Sequence, residues 1–561
     1  MRKHGTILLM GIAALCGCKS TPPYDTIIRN GLLYDGNGGA PYKADIGINA
    51  DTIAFIGDLA GAHAKKETDA KGMAVAPGFI NMLSWATESL IEDGRSQSDI
   101  RQGVTLEVFG EGESMGPLNP QMKAQMQTGQ GDIKYNVSWT TLGGYLNFLQ
   151  TKGVSCNVAS YVGATTLRSY VIGENDKAPN PAQLDSMRLL TRQAMEEGAL
   201  GVGSSLIYPP AFFAKTTELI ALCEEAGRYG GGYISHIRSE GNKLNEAIEE
   251  LITIAQKAKV HGEIYHLKAA GKDNWYKMDS VIRRIERARK EGIDIGANMY
   301  NYLAGGTGLT ASMPPALEDG GFGKLVERLK TPAIRLQTIK DMKTSSTQWE
   351  NLYYAAGSPD RVLLVGFTKD SLKKYTGKSL SAITAIRGTS AEETAIDLII
   401  QDSSRISTIF FLMNEENVKK QIALPWVSFG SDEGSFTNEG VFLKSNAHPR
   451  AYGNFARVLG KYAREEKVIT VQDAVRKLSK LPAEKMHIQK RGELKPGYFA
   501  DIVIFNPATI TDHATFENPH QYATGVSDVF VNVVQVLKDN VHTGATPGRF
   551  VKGPGYQPGK P

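Results

Sequence analysis

Eight short apolar runs punctuate the middle of this 561-residue chain: AVAPGFINML, VTLEVFG, SCNVASYVG, LGVGSSLIY, GGYISHIR, GEIYHLKA, IDIGANMY and WVSFGSDE. Segments of helical periodicity separate them. In NKLNEAIEELITIAQKA, for instance, Leu244, Ala247, Ile248, Leu251, Ile252 and Ala255 fall on one face at three- and four-residue steps. Eight strand candidates alternating with helices fit an α/β fold of the (β/α)8, TIM-like barrel type better than an open sheet. The interval between the seventh and eighth runs, about 311–424, exceeds one crossover. It is expected to hold an inserted helical subdomain, since LVERLK and TAIDLIIQ are helix-like.

The two ends of the chain read differently. TIIRNGLLYDG and IGINADTIAFIG carry alternating strand patterns with turn signals at Asn30-Gly31 and Asn49-Ala50-Asp51. LKPGYFADIVIFNP and VSDVFVNVVQVLKDNVHTG answer them near the C-terminus, with turns at Pro496-Gly497 and Asp539-Asn540. We read 18–76 and 486–549 as halves of one small β-sandwich domain, with the barrel at 77–485 inserted between them.

Ahead of these segments, Arg2, Lys3 and His4 precede the apolar stretch TILLMGIAALCG, too short to span a bilayer and suited to a secretory leader. Leu15-Cys16-Gly17-Cys18 resembles a bacterial lipobox. Cleavage of 1–17 and lipid attachment at Cys18 are therefore expected, giving an exported, membrane-anchored lipoprotein facing the periplasm or the cell surface. Only Cys156 and Cys223 remain in the body, and both sit in core-like segments, so they read as buried free thiols. A net charge of +4 over this length, without a dense Lys/Arg cluster, gives no argument for a nucleic-acid partner.

Chemistry concentrates at three run ends. His236 and His266 are separated by 30 residues, one βα unit, and so belong on adjacent strands facing the same barrel mouth. Neutral imidazoles placed in this way can ligate zinc. Asp432 ends the eighth run after Gly430-Ser431. A carboxylate beside a metal-bound water can take its proton and return it to a leaving nitrogen. Metal-assisted hydrolysis accounts for all three together.

The motifs HIRSEG, YHLKAAGK, GSDE, NAHPRAYGNFARVLG, LPAEKMHI, RGELKPGYFADIVIFNP and TGATPGRF are similar to those of the N-acyl-D-amino-acid deacylases (D-aminoacylases) of the amidohydrolase superfamily. The resemblance runs from about Tyr24 to Arg549. It implies a metal-dependent barrel that hydrolyses the amide of an N-acyl-D-amino acid with metal-activated water, Asp432 serving as general acid and base. It also implies that Arg450 pairs with the substrate's free carboxylate, assisted by Lys268 and Tyr300, with Tyr208 at the pocket side.

This chain departs from the family pattern in two places. The family's first strand ends GFIDxHxH, whereas here it reads GFINMLSW, with Asn81, Leu83 and Trp85. Neither Leu nor Trp ligates zinc, so the metal position served by those histidines is expected to be absent. The family's cysteine ligand after the second strand is also missing; the loop reads FGEGES. A carboxylate can replace a thiolate on zinc. Glu111, nearer the strand end, is the preferred ligand, and Glu113 the alternative. The expectation is one ion, Zn2+ or another divalent metal, on Glu111, His236 and His266. The rival readings are a dipeptidase for D-amino-acid-containing dipeptides and a catalytically dead, lipid-anchored binding protein.

Overall fold

The computed structural model describes residues 23–559; the leader and the lipid-attachment site at Cys18 lie outside the described residues. Each of the eight runs contains a barrel strand. In chain order these are β1 (Phe79–Asn81), β2 (Val104–Phe109), β3 (Asn157–Ser160, resuming at Val162–Gly163), β4 (Gly201–Ser205), β5 (Gly232–His236), β6 (Gly262–Ile264), β7 (Ile295–Met299) and β8 (Val427–Phe429). Every residue of these strands is buried, as expected for a parallel sheet covered by helices. The helix Leu244–Ala258 behind β5 buries Leu244, Ala247, Ile248, Leu251, Ile252, Ile254, Ala255 and Ala258, the stripe that the periodicity predicts.

Backbone pairing gives two parallel arcs, β1-β2-β3 and β3-β4-β5-β6-β7-β8, which share β3 on either side of Tyr161. Leu200 N donates to Ser160 O at 2.9 Å across that junction. At the opposite seam Met82 N donates to Phe429 O at 3.2 Å and Asp432 N to Leu83 O at 2.8 Å. These bonds bring β8 back to β1 and close the ring.

The chain ends form one sheet domain of nine strands. Hydrogen bonding is continuous across its two halves, because Ala74–Pro77 pairs antiparallel with Ile502–Phe505. One turn signal is corrected. Asn30-Gly31 lies inside the single strand Tyr24–Leu33, where the register against Tyr42–Asn49 shifts between Ile28 and Gly31. Asn30 adopts φ 55°, and a Cβ on Gly31 would come within 2.7 Å of Val75 Cγ2. The left-handed backbone that makes Asn-Gly a hairpin turn also makes it a bulge when both flanking segments pair with the same neighbour.

The interval after β7 holds the expected helices, Phe322–Leu329 and Ala391–Asp402 among them, and a four-stranded antiparallel sheet as well. Ala304–Gly308 pairs with Ser407–Phe411, so the inserted unit starts directly beyond the end of β7. It packs around its own core, including Leu309, Leu325, Leu364, Ile396 and Phe410. Cys156 and Cys223 are buried free thiols.

Candidate active site

The ends of β2, β5, β6 and β8 converge on one cavity of about 840 Å3. Its floor is the barrel mouth, and the glycine-rich strand 304–308 of the inserted unit forms part of its wall. Glu111, His236, His266, Asp432, Lys268, Tyr300, Tyr208 and Arg450, all anticipated from the sequence, line it together.

Glu111 follows β2 on a loop that only glycine permits. Gly110 (φ 108°) approaches Tyr161 O, and a Cβ on Gly112 (φ 74°) would lie 2.4 Å from Ser205 Cβ. Held there, Glu111 Oε1 lies 3.2 Å from His236 Nδ1 and 2.7 Å from His266 Nε2. Glu113, the alternative ligand, is exposed on the cavity rim. His266 has φ 32° and Asp432 φ 54°, sparsely populated backbone for residues with side chains. Bonds from His266 N to Asn298 Oδ1 and from Asp432 N to Leu83 O hold these conformations.

The donor set fits a divalent cation. One carboxylate and two imidazoles match the three protein ligands of a catalytic zinc-type centre, and their ligand atoms lie within 4.8 Å of one another. Burial alone would raise the Glu111 carboxyl, but the two imidazoles overcome it and hold Glu111 well below the usual carboxylate range. Burial and Lys268 would lower His266, yet Glu240 and Glu111 outweigh them and raise it to about 9. A cation entering the site therefore displaces a proton.

Glu240 is a member of the site that the sequence reading missed. Its carboxylate lies 2.9 Å from His266 Nδ1 and 2.5 Å from Lys268 Nζ, and 3.9 Å from His236 Nε2. A hydrogen bond from His266 Nδ1 to Glu240 keeps a proton on Nδ1, so the proton that an entering cation displaces is the one on Nε2, the nitrogen facing Glu111. The available signal was its position, four residues after His236 in HIRSEG.

Asp432 is gripped at both oxygens. Arg450 Nη1 lies 2.9 Å from Oδ2, and Nη2 donates to the Asp432 carbonyl at 2.6 Å. Trp85 Nε1 reaches Oδ1 at 3.2 Å. Burial raises the Asp432 carboxyl against the pull of Arg450. Arg450 also stacks on Tyr300, its Cζ 4.3 Å from the ring centroid, and Lys268 Nζ lies 5.5 Å from the same ring. Tyr208 packs edge-on against His236 and hydrogen-bonds Thr307 in the inserted unit. His448 sits away from the cation ligands: its Nε2 faces Ala304 O and its Nδ1 accepts from Arg450 N, so it shapes the loop. His520 bonds Tyr452 and Ser445.

A closed parallel barrel whose mouth carries a three-ligand cation site, with a carboxylate just beyond its last strand, is the architecture of a metal-dependent hydrolase. The chain belongs to the amidohydrolase family, whose profile matches residues 66–541, and it is a hydrolase acting on carbon–nitrogen bonds other than peptide bonds. D-aminoacylase of Alcaligenes xylosoxydans xylosoxydans is 31% identical over 537 residues, covering 94% of this chain and 98% of that protein. A structure of D-aminoacylase described by one-metal activation and second-metal attenuation of its binuclear centre superposes with a TM-score of 0.77 at 29% identity, covering 94% of this chain and 100% of that one. N-acyl-D-glutamate deacylase of Bordetella bronchiseptica, in complex with zinc and a phosphonate mimic of the tetrahedral intermediate, also gives 0.77 at 27% identity, covering 94% and 99%.

Proposed function

We propose that the protein is a mononuclear zinc-dependent deacylase of N-acyl-D-amino acids. The observation that carries this reading is the convergence of Glu111, His236 and His266 beside Asp432, in a cavity whose wall presents Lys268 and Arg450. Relatives that act on N-acyl-D-amino acids along nearly the whole chain support the substrate class.

A divalent cation on Glu111, His236 and His266 would supply water activation and polarise the acyl carbonyl. The chain's own groups do the rest. Asp432, fixed at both oxygens, accepts a proton from the attacking water as the oxygen bonds to the acyl carbon. It delivers that proton to the amide nitrogen as the carbon–nitrogen bond breaks. A carboxylate and a free amino acid leave. Lys268 and Arg450, set against the Tyr300 ring, favour a leaving group with a free carboxylate, and Tyr208 borders the pocket beside His236.

Elemental analysis of the purified protein, with hydrolysis of a panel of N-acetyl-D-amino acids on the same sample, tests the reading. We expect about one equivalent of zinc, and a kcat lowered roughly 10²- to 10⁴-fold in Asp432→Asn with zinc retained. No stoichiometric metal and no turnover after zinc is added back would overturn it. Export and lipid attachment at Cys18 belong to the same proposal and rest on the lipobox-like Leu15-Cys16-Gly17-Cys18. Cys18→Ala should move the protein from the membrane fraction to the soluble fraction.

A further inference from the structure

The end of β1 is built from side chains that bind no metal, yet it reaches into the heart of the site. Asn81 Nδ2 donates to Asp99 Oδ1 at 3.0 Å and to Ser431 Oγ at 2.8 Å, while its Oδ1 accepts from Ser431 N at 2.8 Å. Leu83 is fully buried. Trp85 N donates to Glu433 O at 2.9 Å, which ties this loop to the one carrying Asp432. The indole then lies along the cavity wall, 39% exposed. Its Nε1–H points between two carboxylates, 2.9 Å from Glu111 Oε2 and 3.2 Å from Asp432 Oδ1.

Two buried carboxylates that share one site repel. Something must lie between them to hold both in place. A second cation would do so by charge; an indole N–H does so by donation alone, because it has no lone pair to offer a metal. We propose that Trp85 is a positioning residue that takes the place of a second metal ion. Its shared N–H orients Glu111 toward the cation and Asp432 toward the water, and it occupies the oxygens that a second ion would need. The oxygen of each carboxylate left free of Trp85 has its own partner: Glu111 Oε1 faces the imidazoles and Asp432 Oδ2 faces Arg450. The inference rests on the deacylase reading and adds a consequence that the reading alone lacks: excess zinc should not slow this enzyme.

The test compares the wild type with Trp85→Phe, which keeps the ring and loses the donor, and with Trp85→His, which adds a ligand. Zinc binding is followed by calorimetry, activity by kcat and KM. The wild type should saturate at one equivalent and keep its activity in a tenfold excess of zinc. Trp85→Phe should still bind one equivalent with KM within about twofold, while kcat falls roughly 10- to 100-fold, as for a lost hydrogen bond to a charged group. Trp85→His should bind a second equivalent. Tryptophan emission gives a readout that does not depend on turnover: zinc should change the emission of the wild type, and the zinc-induced change should be smaller in Trp85→Phe. A wild type that binds two equivalents, or a Trp85→Phe variant with unchanged kcat, overturns the role of Trp85 and leaves the deacylase reading standing. A wild type with neither zinc nor turnover overturns the deacylase reading itself, and this inference with it.

Discussion

Replacing Glu240 by glutamine should weaken zinc binding without emptying the pocket. The side chain keeps its volume and loses its charge. In the native site the Glu240 carboxylate competes with Lys268 for His266 Nδ1: the carboxylate lies 2.9 Å from that nitrogen and the ammonium 2.8 Å. While Glu240 is charged, Nδ1 keeps its proton when a cation displaces the one on Nε2, and Nε2 is the nitrogen left to bind it. With a neutral amide there, the Lys268 ammonium becomes the donor to Nδ1, and the imidazole proton moves to Nε2, the atom that should bind the cation. Restoring the productive tautomer then costs about one charge-assisted hydrogen bond, roughly 1.5–3 kcal/mol. That corresponds to about a 10- to 150-fold loss of affinity, which overlaps the roughly 10- to 100-fold typical of lost partners behind a metal-bound histidine. Competition against a chromophoric chelator at fixed pH measures it directly. A dissociation constant within about threefold of the wild type would refute the idea that Glu240 sets the tautomer of His266.

Two further expectations come from other parts of the fold. Gly112→Ala places a methyl 2.4 Å from Ser205 Cβ at φ 74°, so the Glu111 loop must shift; zinc content after dialysis should fall, and the melting temperature should fall as well. At the strand start opposite the site, His261 lies 2.9 Å from Glu263 and 3.1 Å from Asp294. Burial alone would lower its pKa, but these two carboxylates outweigh burial and raise it. The resulting stability is fully present below the unfolded imidazole's pKa and disappears as pH rises through the higher folded value. The melting-temperature deficit of His261→Asn should therefore be larger at pH 6 than at pH 9, and a pH-independent deficit would count against the ion pairing.

The sequence by itself determined the barrel, the strand ends that carry chemistry and three of the four central groups. Those features are local: strand and helix periodicity, and a histidine or aspartate at the end of an apolar run, follow from a few neighbouring residues and the rule that parallel strands point their C-terminal ends to one mouth. Local signals misled where one backbone conformation serves two purposes, as at Asn30-Gly31, where the residue pair bends a strand that keeps the same partner instead of reversing the chain. They were silent where a side chain's meaning depends on distant partners. Glu111 and Glu113 are equivalent in the text of the sequence, and only the packing of Gly110 and Gly112 against neighbouring strands turns Glu111 inward. Glu240 looks like a helix-approach carboxylate until β6 brings His266 and Lys268 against it. Trp85 reads as a lost ligand, yet closure of the ring sets its indole between Glu111 and Asp432, the latter 347 residues further along the chain. Contacts across such separations are fixed by the barrel's closure, because β8 must return to β1 before the indole of Trp85 can reach Asp432.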